Sequence, residues 1–209
     1  MTEQSQGLKA FINLLETVAD NKFLLGDRLI KIGVSGPRLE STLSAIAMAQ
    51  GELGHARLLY NWSLDLKSIK GKKQEIDKQT GKAFKFIDEI NDWLSLIAAL
   101  YTISLSVDIV LKSVIEAGRK DVISRIHKLV REQKEHLVYA RNWAQQLIGD
   151  KPPIQTKFNG YLNNFIPEII NWLQLLEQQN SLVEENYLLP NASLKGEFER
   201  QIVVTKVLN

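Results

Sequence analysis

The sequence contains no cysteine, and only 5 prolines and 12 glycines among 209 residues. The absence of cysteine excludes disulfides, thiol catalysis and thiolate metal sites, and it fits a cytoplasmic protein. The net charge of +2 is too small to indicate binding to nucleic acid or to a membrane surface. Residues 1–7 have neither a signal-peptide core nor a transit-peptide bias, and we expect no apolar stretch to be long and uncharged enough to span a bilayer. We therefore expect a cytoplasmic protein.

Apolar residues recur at helical spacing along most of the chain, and few glycines and prolines interrupt them. This spacing predicts an all-α fold with four long core helices, over about residues 8–32, 37–66, 86–117 and 121–148. Two C-terminal helices are predicted over about residues 157–179 and 193–208. The pair Pro152 and Pro153 predicts a firm stop before the fifth helix, and Pro167 predicts a kink or a split inside it. We expect a single domain over residues 1–209.

The second helix carries apolar residues on two adjoining rows. The first row predicts the inner face of the helix, and its members are Leu39, Leu43, Ile46, Ala49, Leu53, Ala56 and Tyr60. The second row is rich in small residues, which leave space for a polar layer; its members are Ala45, Ala49, Glu52, Ala56 and Leu59. At the start of this helix, Ser35 is a candidate N-cap and Pro37 suits the first turn.

The connection between the second and third helices, Lys67 to Lys85, contains seven lysines. Its composition favours a solvated link between helices. A docking patch for an acidic partner or for phosphate groups is the alternative, because clustered lysines raise the local electrostatic potential.

Polar residues interrupt the apolar stripes near the middle of each long helix. They are Lys22 in the first helix, Glu52 and His55 in the second, Asp108 in the third, and Gln133 and His136 in the fourth. In an up-and-down bundle of helices of similar length, mid-helix positions share one layer, so we expect these six side chains to meet, with Glu132 at the flank. A buried charge is costly unless it is paired, and Lys22 opposite Glu52 would balance this layer.

The spacing Glu52-x-x-His55 is half of the ligand set that four-helix bundles use to hold two metal ions. The other half departs from that pattern. The fourth helix offers Gln133-x-x-His136, in which an amide replaces the acid, and the first helix offers Lys22. A charged ammonium donates hydrogen bonds and has no lone pair for a metal. We therefore expect no metal; a residual single-metal site through Glu52, His55 and His136 is the alternative.

Four blocks of the chain resemble the structural subunit of the bacterial phenylacetyl-CoA epoxidase, a ferritin-like protein. The resemblance covers roughly Leu14 to Asp150, and the blocks are Ala19–Leu29, Gly36–Glu40, Leu53–Arg57 and Arg131–Leu137, the last followed by Asn142 and Trp143. In that family, a catalytic subunit carries a di-iron site and oxidises the ring of a coenzyme A thioester. Its structural relative lacks the iron ligands and pairs with it.

The resemblance implies a ferritin-like four-helix bundle that serves as a non-catalytic subunit in aromatic compound catabolism, with a di-iron catalytic relative as its partner in a hetero-oligomer and no cofactor of its own. One alternative is a metal-dependent oxidoreductase in its own right, with iron held among Glu52, His55, Asp108, Glu132 and His136. Another is a metal-free helical bundle that acts as a binding module or a homodimer.

Overall fold

The computed structural model describes residues 4–69 and 79–202. Within these ranges the chain forms seven α-helices and one short 3-10 helix, and no strand. The α-helices are α1 (Gln6–Gly33), α2 (Leu39–Leu66), α3 (Trp93–Glu116), α4 (Lys120–Ile148), α5 (Pro152–Glu177), α6 (Asn180–Glu184) and α7 (Leu194–Gln201); the 3-10 helix is Lys85–Glu89. The prediction of an all-α fold is confirmed, and the arrangement is consistent with a ferritin-like bundle.

Helices α1 and α2 form a closely packed antiparallel hairpin, because glycines on α1 allow close approach. A Cβ atom added to Gly26 would lie 2.8 Å from Cγ of Leu53, and one added to Gly33 would lie 2.7 Å from Cβ of Ala45. Helices α3 and α4 form a second hairpin, and α5 packs against both of them. One cluster of buried apolar side chains joins these elements.

Helix α3 lies at the centre of the fold and contacts α1, α4, α5 and α7. Its 24 residues are long and apolar enough to cross a membrane by length and composition alone, so the expectation that no stretch of the chain meets this criterion is wrong. In the structure, 89% of its most apolar window is buried inside the protein. A helix that is covered on all sides has no solvent-facing stripe to carry charges, which accounts for its composition.

Prolines and caps explain most of the differences between predicted and observed helix ends. Pro152 and Pro153 lie in the first turn of α5 and were wrongly expected to precede the helix. Proline is tolerated in this turn because its residues need no backbone N–H donor. Helix α5 continues through Pro167, so the predicted split is absent. Helix α2 begins at Leu39 without a side-chain cap, and Ser35 instead donates a hydrogen bond to the carbonyl of Ile32 at the end of α1.

Two further segments differ from the prediction. The third helix starts later than expected, at Trp93, where Asp92 and Ser95 form a reciprocal cap; residues 85–89 before it form the 3-10 helix. The stretch between the two predicted C-terminal helices, where no helix was predicted, contains the short helix α6. The last predicted helix ends at Gln201, and its extension to residue 208 falls outside the described residues.

The predicted inner face of α2 is wrong over its first two turns. Leu39, Leu43 and Ile46 are exposed, and the row that contains Ala45, Glu52 and Leu59 faces the core instead. Both rows have helical spacing, so periodicity alone does not choose between them. The choice follows from the small residues, because α1 approaches α2 where Ala45 and Ala49 leave room for Gly33 and Gly26.

The lysine-rich connection is tied to α1 by buried acids. Lys67 and Lys82 both contact Glu16, and Asp20 accepts hydrogen bonds from the backbone N–H groups of Thr80 and Lys82. Asp20 is fully buried and also accepts a hydrogen bond from the hydroxyl of Tyr60. Two of the seven lysines therefore hold the connection against α1, while most of its described residues are exposed; residues 70–78 lie outside the described residues.

Candidate metal centre

Five of the six side chains that were expected to share a layer meet in the structure. Lys22 on α1 lies at their centre, where its Nζ donates hydrogen bonds to Oε2 of Glu52 at 2.8 Å and to Oε1 of Gln133 at 2.5 Å. All three side chains are at most 1% exposed. The lysine ammonium therefore joins α1, α2 and α4 in the core of the bundle, and it supplies the positive charge that a buried carboxylate requires.

The second oxygen of Glu52 contacts a histidine from the fourth helix. His136 Nδ1 lies 2.6 Å from Oε1 of Glu52, so this nitrogen carries the proton and donates to the carboxylate. Gly51 makes space for the imidazole ring, because a Cβ atom at that position would lie 2.7 Å from Nε2 of His136. Both oxygens of Glu52 are thus engaged within the protein.

His55 lies on the same face of α2, one turn beyond Glu52. Its Nε2 is 2.8 Å from Oε2 of Glu132, and its ring stacks on that of His136 with 5.2 Å between centroids. Burial lowers the pKa of His55 to about 4, and the nearby charge of Lys22 acts in the same direction against the opposing contact with Glu132. At neutral pH, His55 is therefore uncharged and donates through Nε2, which leaves Nδ1 without a hydrogen-bond partner in the described part of the chain.

The charge on Glu52 is set by two opposing effects. Burial by itself raises the pKa of this carboxyl, but the Lys22 charge and the hydrogen bond from His136 outweigh burial and lower the pKa to about 2. Glu52 is consequently ionised at neutral pH.

Asp108 does not join this layer. It lines a surface groove between α3 and α7, where burial raises its pKa against the opposing charges of Lys134, Lys112 and Arg141. The contribution of α3 comes instead from the backbone, because Nε2 of Gln133 donates to the carbonyl oxygen of Ser104 at 3.0 Å. The sequence carries no signal for this contact, since a backbone oxygen is available at every residue.

The polar cluster around Glu16 and Asp20 on α1 was not predicted from the sequence. The two acids are four residues apart on α1, and both are buried. This spacing places them on one face of the helix, which was a usable signal. They bind the connection that follows α2 rather than a residue of the central layer.

A two-metal centre does not fit the residues at this position. Such a centre takes an acid from each of two helices and a Glu-x-x-His pair from each of the other two. Here Lys22 stands on α1, Gln133 stands on α4, and Asp108 of α3 lies in the groove beside α7. The ammonium group occupies the space between the remaining oxygen donors, and its charge repels a cation.

Three potential ligands for a single metal ion remain in this layer. Suitable atoms of Glu52, His55 and His136 all lie within 4.8 Å of one another. The unprotonated Nδ1 of His55 is the kind of donor that a divalent cation takes. Against this, both oxygens of Glu52 already bind Lys22 and His136, so a cation would have to break one of these contacts.

The depressed pKa of His55 predicts a loss of stability in mild acid. In the unfolded chain this histidine takes up a proton near pH 6.5, whereas in the folded protein it does so near pH 4. Its contribution to stability is therefore complete above pH 6.5, falls as the pH drops, and amounts to a loss of about 2 kcal/mol by pH 5. We expect His55→Gln to remove this part of the pH dependence, measured as the difference in urea midpoints between pH 7 and pH 5.

The control for this experiment is His127→Gln, which changes an exposed histidine on α4. This variant should keep the full difference between the two pH values. The account of His55 is contradicted if both histidine variants show the same pH dependence as the unchanged protein.

Comparison with known proteins places the chain in a family. The family model described as phenylacetic acid catabolic protein matches residues 1–207, which is nearly the whole chain. No curated protein matches it. Because the match extends over all the helices that build the central layer, the chain belongs to the phenylacetic acid catabolic protein family.

Proposed function

We propose that this chain is a non-catalytic structural subunit of a phenylacetyl-CoA epoxidase-like monooxygenase. In this role it pairs with a di-iron catalytic relative and takes part in the breakdown of phenylacetate. The observation that carries the proposal is the Lys22 ammonium between Glu52 and Gln133, at the place where a catalytic member of such a family would need carboxylates around iron.

The ion pair between Lys22 and Glu52 has a structural effect that suits a subunit with no chemistry to perform. A metal ion in a bundle of this kind neutralises buried acids and cross-links the helices. Lys22 supplies both effects, because its single charge neutralises Glu52 and its hydrogen bonds link α1, α2 and α4. The bundle is thereby held together without iron, as a subunit that braces its partner requires.

The test is assembly with the catalytic relative. The purified chain is mixed with the di-iron catalytic subunit of phenylacetyl-CoA epoxidase from the same source, and the mixture is analysed by gel filtration with light scattering. We expect a stable complex of the two chains, with epoxidation of phenylacetyl-CoA lost when the catalytic subunit is omitted. Absence of any complex would overturn the proposal.

A second candidate is a metal-dependent oxidoreductase that uses Glu52, His55 and His136. It is favoured by one observation, the buried Nδ1 of His55 that lacks a partner among the described residues. Asp108, which was expected to contribute to this alternative, lies in another part of the molecule, and Glu132 contacts His55 rather than the oxygens of Glu52. Oxygen consumption by the chain alone, after loading with ferrous iron, would support this second candidate and count against the first.

A further inference from the structure

A surface groove lies between α2 and α4. Helix α1 packs closely on α2 and α3 packs closely on α4, whereas the backbones of α2 and α4 approach each other at few points, so a gap remains between them. The groove has a volume of about 400 Å³, which is within the range of small-molecule sites. Its lining residues are Gly54, Arg57, Leu58, Asn61, Trp62, Asp65 and Arg125.

One row of α2 supplies the apolar part of the groove. Gly54, Leu58 and Trp62 are spaced four residues apart, so they follow one another along the same face of the helix. Trp62 is 5% exposed, and its ring packs edge-on against Phe11 with 5.3 Å between centroids, so contacts in the core fix its position. A Cβ atom added to Gly54 would meet nothing within 4 Å among the described residues, so the space in front of this row is open. A flat apolar group is the kind of ligand that such a space accepts.

Two arginines give the groove an excess of positive charge. The guanidinium carbon of Arg125 lies 5.7 Å from the ring centroid of Trp62, and Arg125 forms an ion pair with Asp65 at 2.9 Å. Arg57 forms no ion pair or hydrogen bond within residues 4–69 and 79–202. One guanidinium of the groove therefore lacks a counter-charge, and a guanidinium binds a carboxylate through two parallel hydrogen bonds.

We propose that the groove between α2 and α4 binds a small organic anion with an apolar ring, of the aryl carboxylate class. The ring occupies the open space in front of Gly54, beside Leu58 and Trp62, and the carboxylate pairs with Arg57. The pair between Arg125 and Asp65 is exposed to solvent, and such pairs are weak, so Arg125 is free to turn towards the same carboxylate.

The charges of the groove select an anion rather than a cation. Asp65 is the one acid among the seven lining residues, and Arg125 already neutralises it. An ammonium group in the groove would meet the unpaired Arg57 and find no carboxylate that is free to bind it. Aryl amines with the same ring are therefore the matched control ligands.

The site is a property of this chain alone and does not rest on the proposed function. It lies outside the central layer of Lys22, Glu52 and Gln133, and it needs no second chain. A chain that forms the complex with the catalytic relative but does not bind the anion would overturn this inference alone. A chain that binds the anion without forming the complex would overturn only the proposed function.

Fluorine NMR of a labelled probe tests the site directly on the full chain. The probe is para-fluorohydrocinnamate, and its control is para-fluorophenethylamine, which has the same ring and linker and the opposite charge. We expect saturable broadening of the carboxylate resonance, with a dissociation constant roughly tenfold or more below that of the amine. Equal binding of the two probes, or saturation with neither, would overturn the proposal.

A substitution that fills the groove locates the binding. Leucine at Gly54 enters open space and is a better helix former than glycine, so Gly54→Leu should stay folded, with an unchanged circular dichroism spectrum, and lose saturable binding of the carboxylate. The control is Gly160→Leu, the same change at an exposed glycine of α5 that also has nothing within 4 Å, and it should bind the probe as the unchanged protein does. Full binding by Gly54→Leu would show that the probe lies elsewhere.

Removal of the unpaired charge tests how the carboxylate is held. Arg57→Gln should weaken binding of the carboxylate probe roughly tenfold and leave the amine unaffected or bound more tightly. Arg131→Gln removes an exposed arginine of α4 that does not line the groove, and it should leave the dissociation constant unchanged. The same dissociation constant for both variants would contradict the role of Arg57.

Discussion

Replacement of Lys22 by methionine is expected to lower the free energy of unfolding by about 3–5 kcal/mol, although methionine fills nearly the same space. The substitution leaves the ionised carboxylate of Glu52 in the core without its counter-charge, since both side chains are 1% exposed. It also leaves the Oε1 atom of Gln133 without its donor. Urea denaturation followed by circular dichroism measures the effect.

Two further variants separate the charge effect from a general loss of packing. Lys31→Met removes an exposed lysine from the same helix, where Lys31 pairs with Asp27 at the surface, and should change stability by less than about 1 kcal/mol. The double variant Lys22→Met with Glu52→Gln removes both charges and should recover part of the loss. An unchanged urea midpoint for Lys22→Met alone would show that Lys22 and Glu52 are not energetic partners.

Restoring acids at the two departures from the di-metal pattern is expected to create a metal site. In the double variant Lys22→Glu with Gln133→Glu, the repelling ammonium is removed and two carboxylates join Glu52, His55 and His136. We expect protein from iron-supplemented cultures to contain about one or more metal ions per chain, measured by elemental analysis. Because the new carboxylates repel one another without a cation, the metal should also raise the melting temperature.

The control for metal uptake is the variant Lys22→Met with Gln133→Met, which removes the ammonium without adding acids. It should contain far less metal than the double glutamate variant. If the two variants and the unchanged protein bind the same amount of metal, or if a chelator does not lower the melting temperature of the glutamate variant, the role assigned to Lys22 and Gln133 is wrong.

The contact of Lys22 with Glu52 and Gln133 could be predicted from the sequence because two simple regularities hold. Each residue interrupts an apolar stripe, so it faces the core, and each lies near the middle of a long helix. In hairpins with short turns, the middles of neighbouring helices share one level, which brings these side chains together. His55 and His136 also lie near the middle of their helices, and they were expected beside these residues, as observed.

The position of Asp108 could not be predicted from these two regularities. It also interrupts a stripe, but α3 is apolar around nearly its whole circumference, so the stripe does not define which side faces the layer. The sequence pattern did not show that α7 packs against this side of α3. Asp108 lies in the groove between α3 and α7. The contact that α3 does make uses a backbone oxygen, which no sequence pattern reports.

Three exposed residues of α2 were expected on its inner face for a related reason. Leu39, Leu43 and Ile46 are large and apolar, so they were expected in the core, whereas the smaller Ala45 and Ala49 in fact face α1. Close packing of two helices selects small residues, and large residues then remain outside.

The central claim is that an ammonium group takes the place of metal in the middle of this bundle. Anomalous diffraction at the iron absorption edge, from crystals soaked in ferrous iron, tests it most directly. The account predicts no anomalous peak between Glu52, His55 and His136, with Lys22 still bound to Glu52. A peak at about 2.0–2.2 Å from the donor atoms of these three residues, with the lysine displaced, would contradict it.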